Sequence, residues 1–182
     1  MTGADEYRII RQVQNGDQEA YRLLVDRYKH MVFQVALQFA PDADTAQDLA
    51  QEAFLRAYEH IGRFRFASSF ATWLYQIALN VGRDYVRRRR LHRSEPLERA
   101  ESVPAETPDP TRELERAEFR MALQRALARL PDTYAIPFLM RYGEELSYEE
   151  MALRLQVAPE VLKVRVFRAR QKLQRMLTRW MR

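Results

Sequence analysis

The chain of 182 residues contains no cysteine. Disulfides and thiolate metal sites are thereby excluded. Its three histidines, His30, His60 and His92, lack metal-ligand spacing and read as surface or partly packed residues, so no metal and no cofactor is expected. No apolar run approaches the roughly 18 residues of a membrane span. The opening MTGADEYRII has no apolar signal-peptide core. The expectation is a cytoplasmic protein without membrane insertion. Catalytic groupings are missing too. Asp48 and Glu52 sit one helical turn apart and could mimic an acid pair, but without metal partners they read as a polar face, which argues against an enzyme. Glycine, at 5 residues, is scarce; together with abundant Ala, Leu, Arg, Glu and Gln this favours helix throughout.

What is present is a chain 47% apolar with a net charge of +5. A packed core is possible, and a polyanionic partner is one implication of the charge. The chain divides at 94–111, SEPLERAESVPAETPDPT, where Pro96, Pro104, Pro108 and Pro110 forbid a continuous helix and five acids face a single Arg99. The reading is all-α: two small helical domains, 5–93 and 112–182, joined by an extended acidic linker. In the first, Asp17 can cap one helix, Pro41 ends it, Asp42 or Asp44 can cap the next through His60, and another spans 70–90. In the second, Pro131 opens a helix that Pro137 should kink. Ser147 and Glu150 form a capping box for 148–155, and a last helix runs from Pro159 to about Arg179.

Three stretches carry chemistry. In FATWLYQIALNVGRDYVRRRR, Phe70, Leu74, Ile77, Val81 and Tyr85 share one helical face, while Trp73, Gln76, Asn80, Arg83 and Arg87 form a second stripe that leads into an arginine cluster. Arginines take phosphates, amides read base edges and an aromatic ring stacks on an unpaired base. A solvated amphipathic helix with Trp73 half buried is the alternative, and the helix alone leaves both open. Around DLAQEAFLRAY, 48–58, the core face is Ala46, just before the stretch, with Leu49, Ala50, Ala53 and Ala57; Asp48, Gln51, Glu52 and Leu55 lie opposite. A leucine there suggests protein docking, although a lone exposed leucine is ordinary. In LSYEEMALRLQVAPEVLKVRVFRARQKLQRML, two helices joined by a tight turn suit a helix-turn-helix. On its second helix Leu162, Val166, Ala169, Leu173 and Leu177 face the core, whereas Lys163, Val164, Phe167 and Arg168 point elsewhere. The excess of Lys and Arg over the single Glu160 favours DNA binding. A stand-alone helix-turn-helix regulator is one candidate, but it gives no role to the first two stretches.

In this order, DQEAYRLLVDRY, DLAQEAFLRAY, FATWLYQIALN with its basic run, LSYEEMA and FRARQKL resemble the extracytoplasmic-function (ECF) sigma factors of the sigma-70 family, over about 10–90 and 112–178. The resemblance implies a subunit that directs RNA polymerase to promoters. Its first domain would be region 2, docking on the β′ clamp helices of core RNA polymerase through Asp48, Gln51, Glu52 and Leu55. Region 2 would also capture the melted −10 element through Phe64, Phe66, Ser68, Trp73, Gln76, Asn80, Arg83, Arg87 and Arg88. The second domain would be region 4, reading −35 duplex through Arg141, Lys163, Val164, Phe167 and Arg168 and meeting the β flap. An anti-sigma factor would regulate it. The chain departs from the family pattern in four places: Phe66 and Ala67 stand in the base-capturing loop, Val161 and Val164 occupy positions usually held by small hydroxylated residues, Gln156 replaces a frequent turn glycine, and Pro137 is unusual.

Overall fold

The computed structural model describes residues 3–92 and 110–180. Regular structure among them is helical: α1 Gly3–Gln14, α2 Gln18–Leu37, α3 Ala43–His60, α4 Phe70–His92, α5 Pro110–Arg129, α6 Asp132–Tyr142, α7 Tyr148–Leu155 and α8 Pro159–Met176, with short 3-10 turns at Ile61–Arg63 and Thr178–Trp180. The expected linker at 94–111 lies outside the described residues except for its last two positions, where α5 has already begun.

The helix starts follow the side chains that cap them. Asp17 accepts the Ala20 N–H at 3.0 Å. At the start of α3, Asp42 rather than Asp44 is the cap, accepting the Thr45 N–H at 2.7 Å. That hydrogen bond holds the Asp42 carboxyl below its ordinary pKa. Ser147 and Glu150 make the reciprocal box: the Ser147 hydroxyl accepts the Glu150 N–H at 3.2 Å and Glu150 accepts the Ser147 N–H at 2.8 Å. Each such cap stabilises its helix by about 1 kcal/mol. At its other end α7 closes on Gln156, at φ 57° in the left-handed region. A side chain there costs about 1 kcal/mol relative to glycine. Gln156→Gly is therefore expected to raise the melting temperature by several degrees, read by thermal unfolding; an unchanged or lower value would show that the glutamine side chain offsets the strain.

In the first bundle α2, α3 and α4 pack on one another, with α1 against α2. The buried face of α3 is Ala46, Leu49, Ala50, Ala53 and Ala57, as its periodicity predicts. Four alanines in that face let neighbouring helices approach closely. On α4 the expected core residues Phe70, Leu74 and Val81 are buried and Ile77 and Tyr85 half-buried. Tyr75, Ala78 and Leu79 are buried as well. The burial is wider than one stripe because α5, α6 and α7 of the second domain also contact α4. The Tyr75 hydroxyl has no hydrogen-bond partner although the ring is fully buried. An unpartnered buried hydroxyl costs about 1–3 kcal/mol, so Tyr75→Phe should stabilise the chain by about 1 kcal/mol in urea unfolding, and a loss of stability would reveal a hidden partner.

The second bundle wraps α5, α6 and α7 around α8. Helix α6 runs through the buried Pro137, which removes one backbone donor. The last helix ends at Met176, short of Arg179. The Thr178 hydroxyl bonds the carbonyls of Gln174 and Arg175 at 3.2 and 3.0 Å, a local bond that competes with helix propagation. Leu177 is still buried.

Candidate nucleic-acid interface

Helix α4 presents its stripe unevenly. Gln76, Asn80, Arg87 and Arg88 are exposed, Trp73 and Arg83 half-buried. Trp73 lies on Phe64 and Phe70, with ring centroids 5.3 and 5.5 Å away. Phe64, expected at the −10 surface, is placed in the core, where Phe70 meets it edge-on. Phe66 is half-buried at φ 58°. Its ring sits 4.6 Å from that of Tyr7 and 4.8 Å from that of Phe64, with the Arg11 guanidinium 5.0 Å above it. Ser68 is exposed beside them. The loop before α4 is thus an aromatic ledge buttressed from α1. Neither Tyr7 nor Arg11 carries a local sequence signal for this place; only long-range packing brings them there.

Arg83 is engaged within the chain. It donates to the carbonyls of Ala128 at 3.1 Å and Leu130 at 2.6 Å, and pairs with Asp132 at 2.6 Å and the Asn80 amide oxygen at 3.1 Å. Gln124 donates to the Ala40 carbonyl at 3.0 Å, and the Ser69 hydroxyl to that of Arg154 at 2.6 Å. These bonds seat the second domain against the first, with Arg83 making the contact from the stripe. In the same junction Glu144 pairs with Arg154 at 2.9 Å while its other oxygen has no partner, and burial raises its pKa.

The docking candidates divide similarly. Asp48, Gln51 and Leu55 are exposed, Leu55 by 65%. Leu55 borders an apolar groove with Tyr21, Val25, Phe54 and Tyr58. Glu52 is half-buried and tied to Arg56 at 2.5 Å and Arg88 at 3.4 Å. Arg56 in turn pairs with Asp84, and Asp84 with Arg87, at 3.0 and 2.9 Å. Glu52 thereby joins the docking face to the arginine cluster.

In the second domain α7 and α8 form the expected helix-turn-helix across Gln156–Ala158. Lys163, Val164, Phe167 and Arg168 are exposed on α8. Arg141 and Lys163 both lie over the Tyr148 ring, at 5.6 and 5.7 Å, so one aromatic positions two expected DNA-contacting cations. Arg141 also donates to the Leu146 carbonyl at 3.0 Å. The sequence marks Tyr148 only as a helix-start residue; nothing local signals that two cations meet at its ring.

Two family descriptions match, Sigma-70 region 2 over residues 24–92 and Sigma-70, region 4 over 120–173. RNA polymerase sigma-H factor of Pseudomonas aeruginosa is 34% identical, the match covering 97% of this chain and 96% of that one. ECF RNA polymerase sigma factor SigW of Bacillus subtilis is 32% identical, with 92% and 94% covered. The chain belongs to the ECF sigma factors of the sigma-70 family. The fold agrees: CnrH, solved in complex with the cytosolic domain of CnrY, superposes with a TM-score of 0.51 at 24% identity over 93% of this chain and 95% of that chain. As a sigma factor it directs promoter-specific transcription initiation, and the stand-alone regulator is set aside. No described helix of the sigma factor is long and apolar enough to cross a membrane.

Proposed function

We propose a division of labour among three surfaces of this non-enzymatic, cytoplasmic sigma factor. The Asp48–Gln51–Leu55 face, with the groove beside it, docks on the β′ clamp helices of core RNA polymerase. The ledge at Phe66 and Ser68 and the Trp73–Gln76–Asn80–Arg83–Arg87–Arg88 stripe take the melted −10 strand, with Phe64 supporting the ledge from below. Helices α7 and α8 read the −35 duplex through Arg141, Lys163, Val164, Phe167 and Arg168, and region 4 meets the β flap. An anti-sigma factor holds the protein in check.

The observation that carries this reading is the segregation of exposed side chains. An apolar patch edged by Asp48 lies on α3, and two separate cationic surfaces lie on α4 and α8. Each stacked base would contribute roughly 1–3 kcal/mol to strand capture. Arg83 cannot hold Asp132 and two carbonyls while it holds a phosphate. Capture of the −10 strand through Arg83 therefore requires exchange of those internal partners.

The test is co-elution with bacterial core polymerase, followed by open-complex formation on promoter fragments. A stoichiometric complex that opens a specific fragment supports the assignment. Duplex binding by the free chain, without assembly on polymerase, would overturn it.

A further inference from the structure

On α8 the buried residues Leu162, Val166, Ala169 and Leu173 define the inner face. Across the outward face runs an apolar row, Val161, Val164 and Phe167, exposed by 43, 49 and 59%. The spacing i, i+3, i+6 makes it an inclined ridge in the N-terminal half of the helix. Six cations of α8, Lys163, Arg165, Arg168, Arg170, Lys172 and Arg175, surround or follow it, against one acid, Glu160. Three apolar side chains left in water on one helix face call for a partner. The cations make that partner a polyanion, and in the major groove the apolar feature on a base edge is the thymine C5-methyl. Valine, which cannot exchange hydrogen bonds with a base edge, has no other selective contact to make there.

We propose that Val161, Val164 and Phe167 form a methyl-reading ridge that sets a requirement for thymine in the duplex element recognised by α8. The inference rests on the reading of α7 and α8 as the −35 module and assigns its selectivity. Lys163 and Arg168 supply phosphate or guanine contacts beside the ridge, and the Tyr148 ring fixes the bearing of Lys163.

The experiment uses the full chain assembled with core polymerase. Duplexes randomised across the upstream element are selected for binding. Each thymine of the preferred sequence is then replaced singly by deoxyuridine, which removes only the methyl group. Burial of one methyl predicts a three- to fivefold loss of affinity at one or more positions. With Val164→Ser, which alters an exposed residue and so spares the fold, thymine and deoxyuridine should bind alike at the position Val164 touches. A preferred sequence without thymine, or deoxyuridine duplexes that bind the unaltered chain as tightly as thymine ones, would overturn the ridge while leaving duplex recognition standing. Absence of any selected sequence would overturn the −35 reading and the ridge with it.

Discussion

Leu55→Asp is expected to weaken assembly with core RNA polymerase by thirtyfold or more while leaving helix content and melting temperature unchanged. Leu55 is 65% exposed, so the substitution removes little from the fold. Its neighbours Tyr21, Val25, Phe54 and Tyr58 form an apolar groove that no other described segment fills. The Tyr21 hydroxyl donates to the Phe54 carbonyl at 2.6 Å and the Tyr21 and Tyr58 rings meet at 4.9 Å, which fixes the groove's walls. Burial also raises the pKa of the Tyr21 phenol, which stays neutral at working pH. A leucine seated beside a preformed apolar groove is a suitable anchor. Loss of such an anchor costs about 2 kcal/mol or more, and a buried carboxylate adds desolvation. Glu52→Arg is a poorer probe, because Glu52 pairs with Arg56 and Arg88. Reversing its charge would disturb the link to α4 and blur docking with DNA capture. Leu55→Asp protein that co-elutes with polymerase like the unaltered chain would remove this face from the interface.

How much was legible beforehand depends on whether the signal is local. Helix starts at Asp17, Ser147 and Pro159 are written in caps and first-turn residues, and the structure uses them. The core faces of α3 and α8 follow from period 3.6. At Asp42 and Asp44 the composition allowed two caps, and backbone geometry chose the one with extended φ of −145°. Phe64 shows the limit. The resemblance puts it at the −10 surface, yet Phe70 and Trp73 fold over it from the next helix. Arg83 shows it again: its stripe position is periodic, but its partners lie 45 and 47 residues away, on the second domain. No periodicity encodes such a meeting.

Gly82 is the least conspicuous of these positions, and its substitution should have the largest effect on stability. In an exposed helix, glycine to alanine stabilises by up to about 1 kcal/mol. Here a Cβ would stand 2.4 Å from Cδ2 and 2.6 Å from Cγ of Phe39. That ring is completely buried, near the start of the segment that joins α2 to α3. Its near edge cannot swing away without opening the core, and overpacking of this kind costs about 1–3 kcal/mol, occasionally more. The clash outweighs the gain in propensity. Gly82→Ala should therefore lose about 2 kcal/mol in urea unfolding, and Gly82→Val more. Gly82 stands between Asn80 and Arg83 on α4, so whatever pushes the helix off Phe39 also moves the stripe proposed to hold the promoter strand. Phe39→Leu should relieve part of the cost in the double variant, because the two residues are in contact and their effects are coupled. A Gly82→Ala chain more stable than the original would show that α4 has room to shift, and the close approach to Phe39 would then not be what sets the height of the stripe.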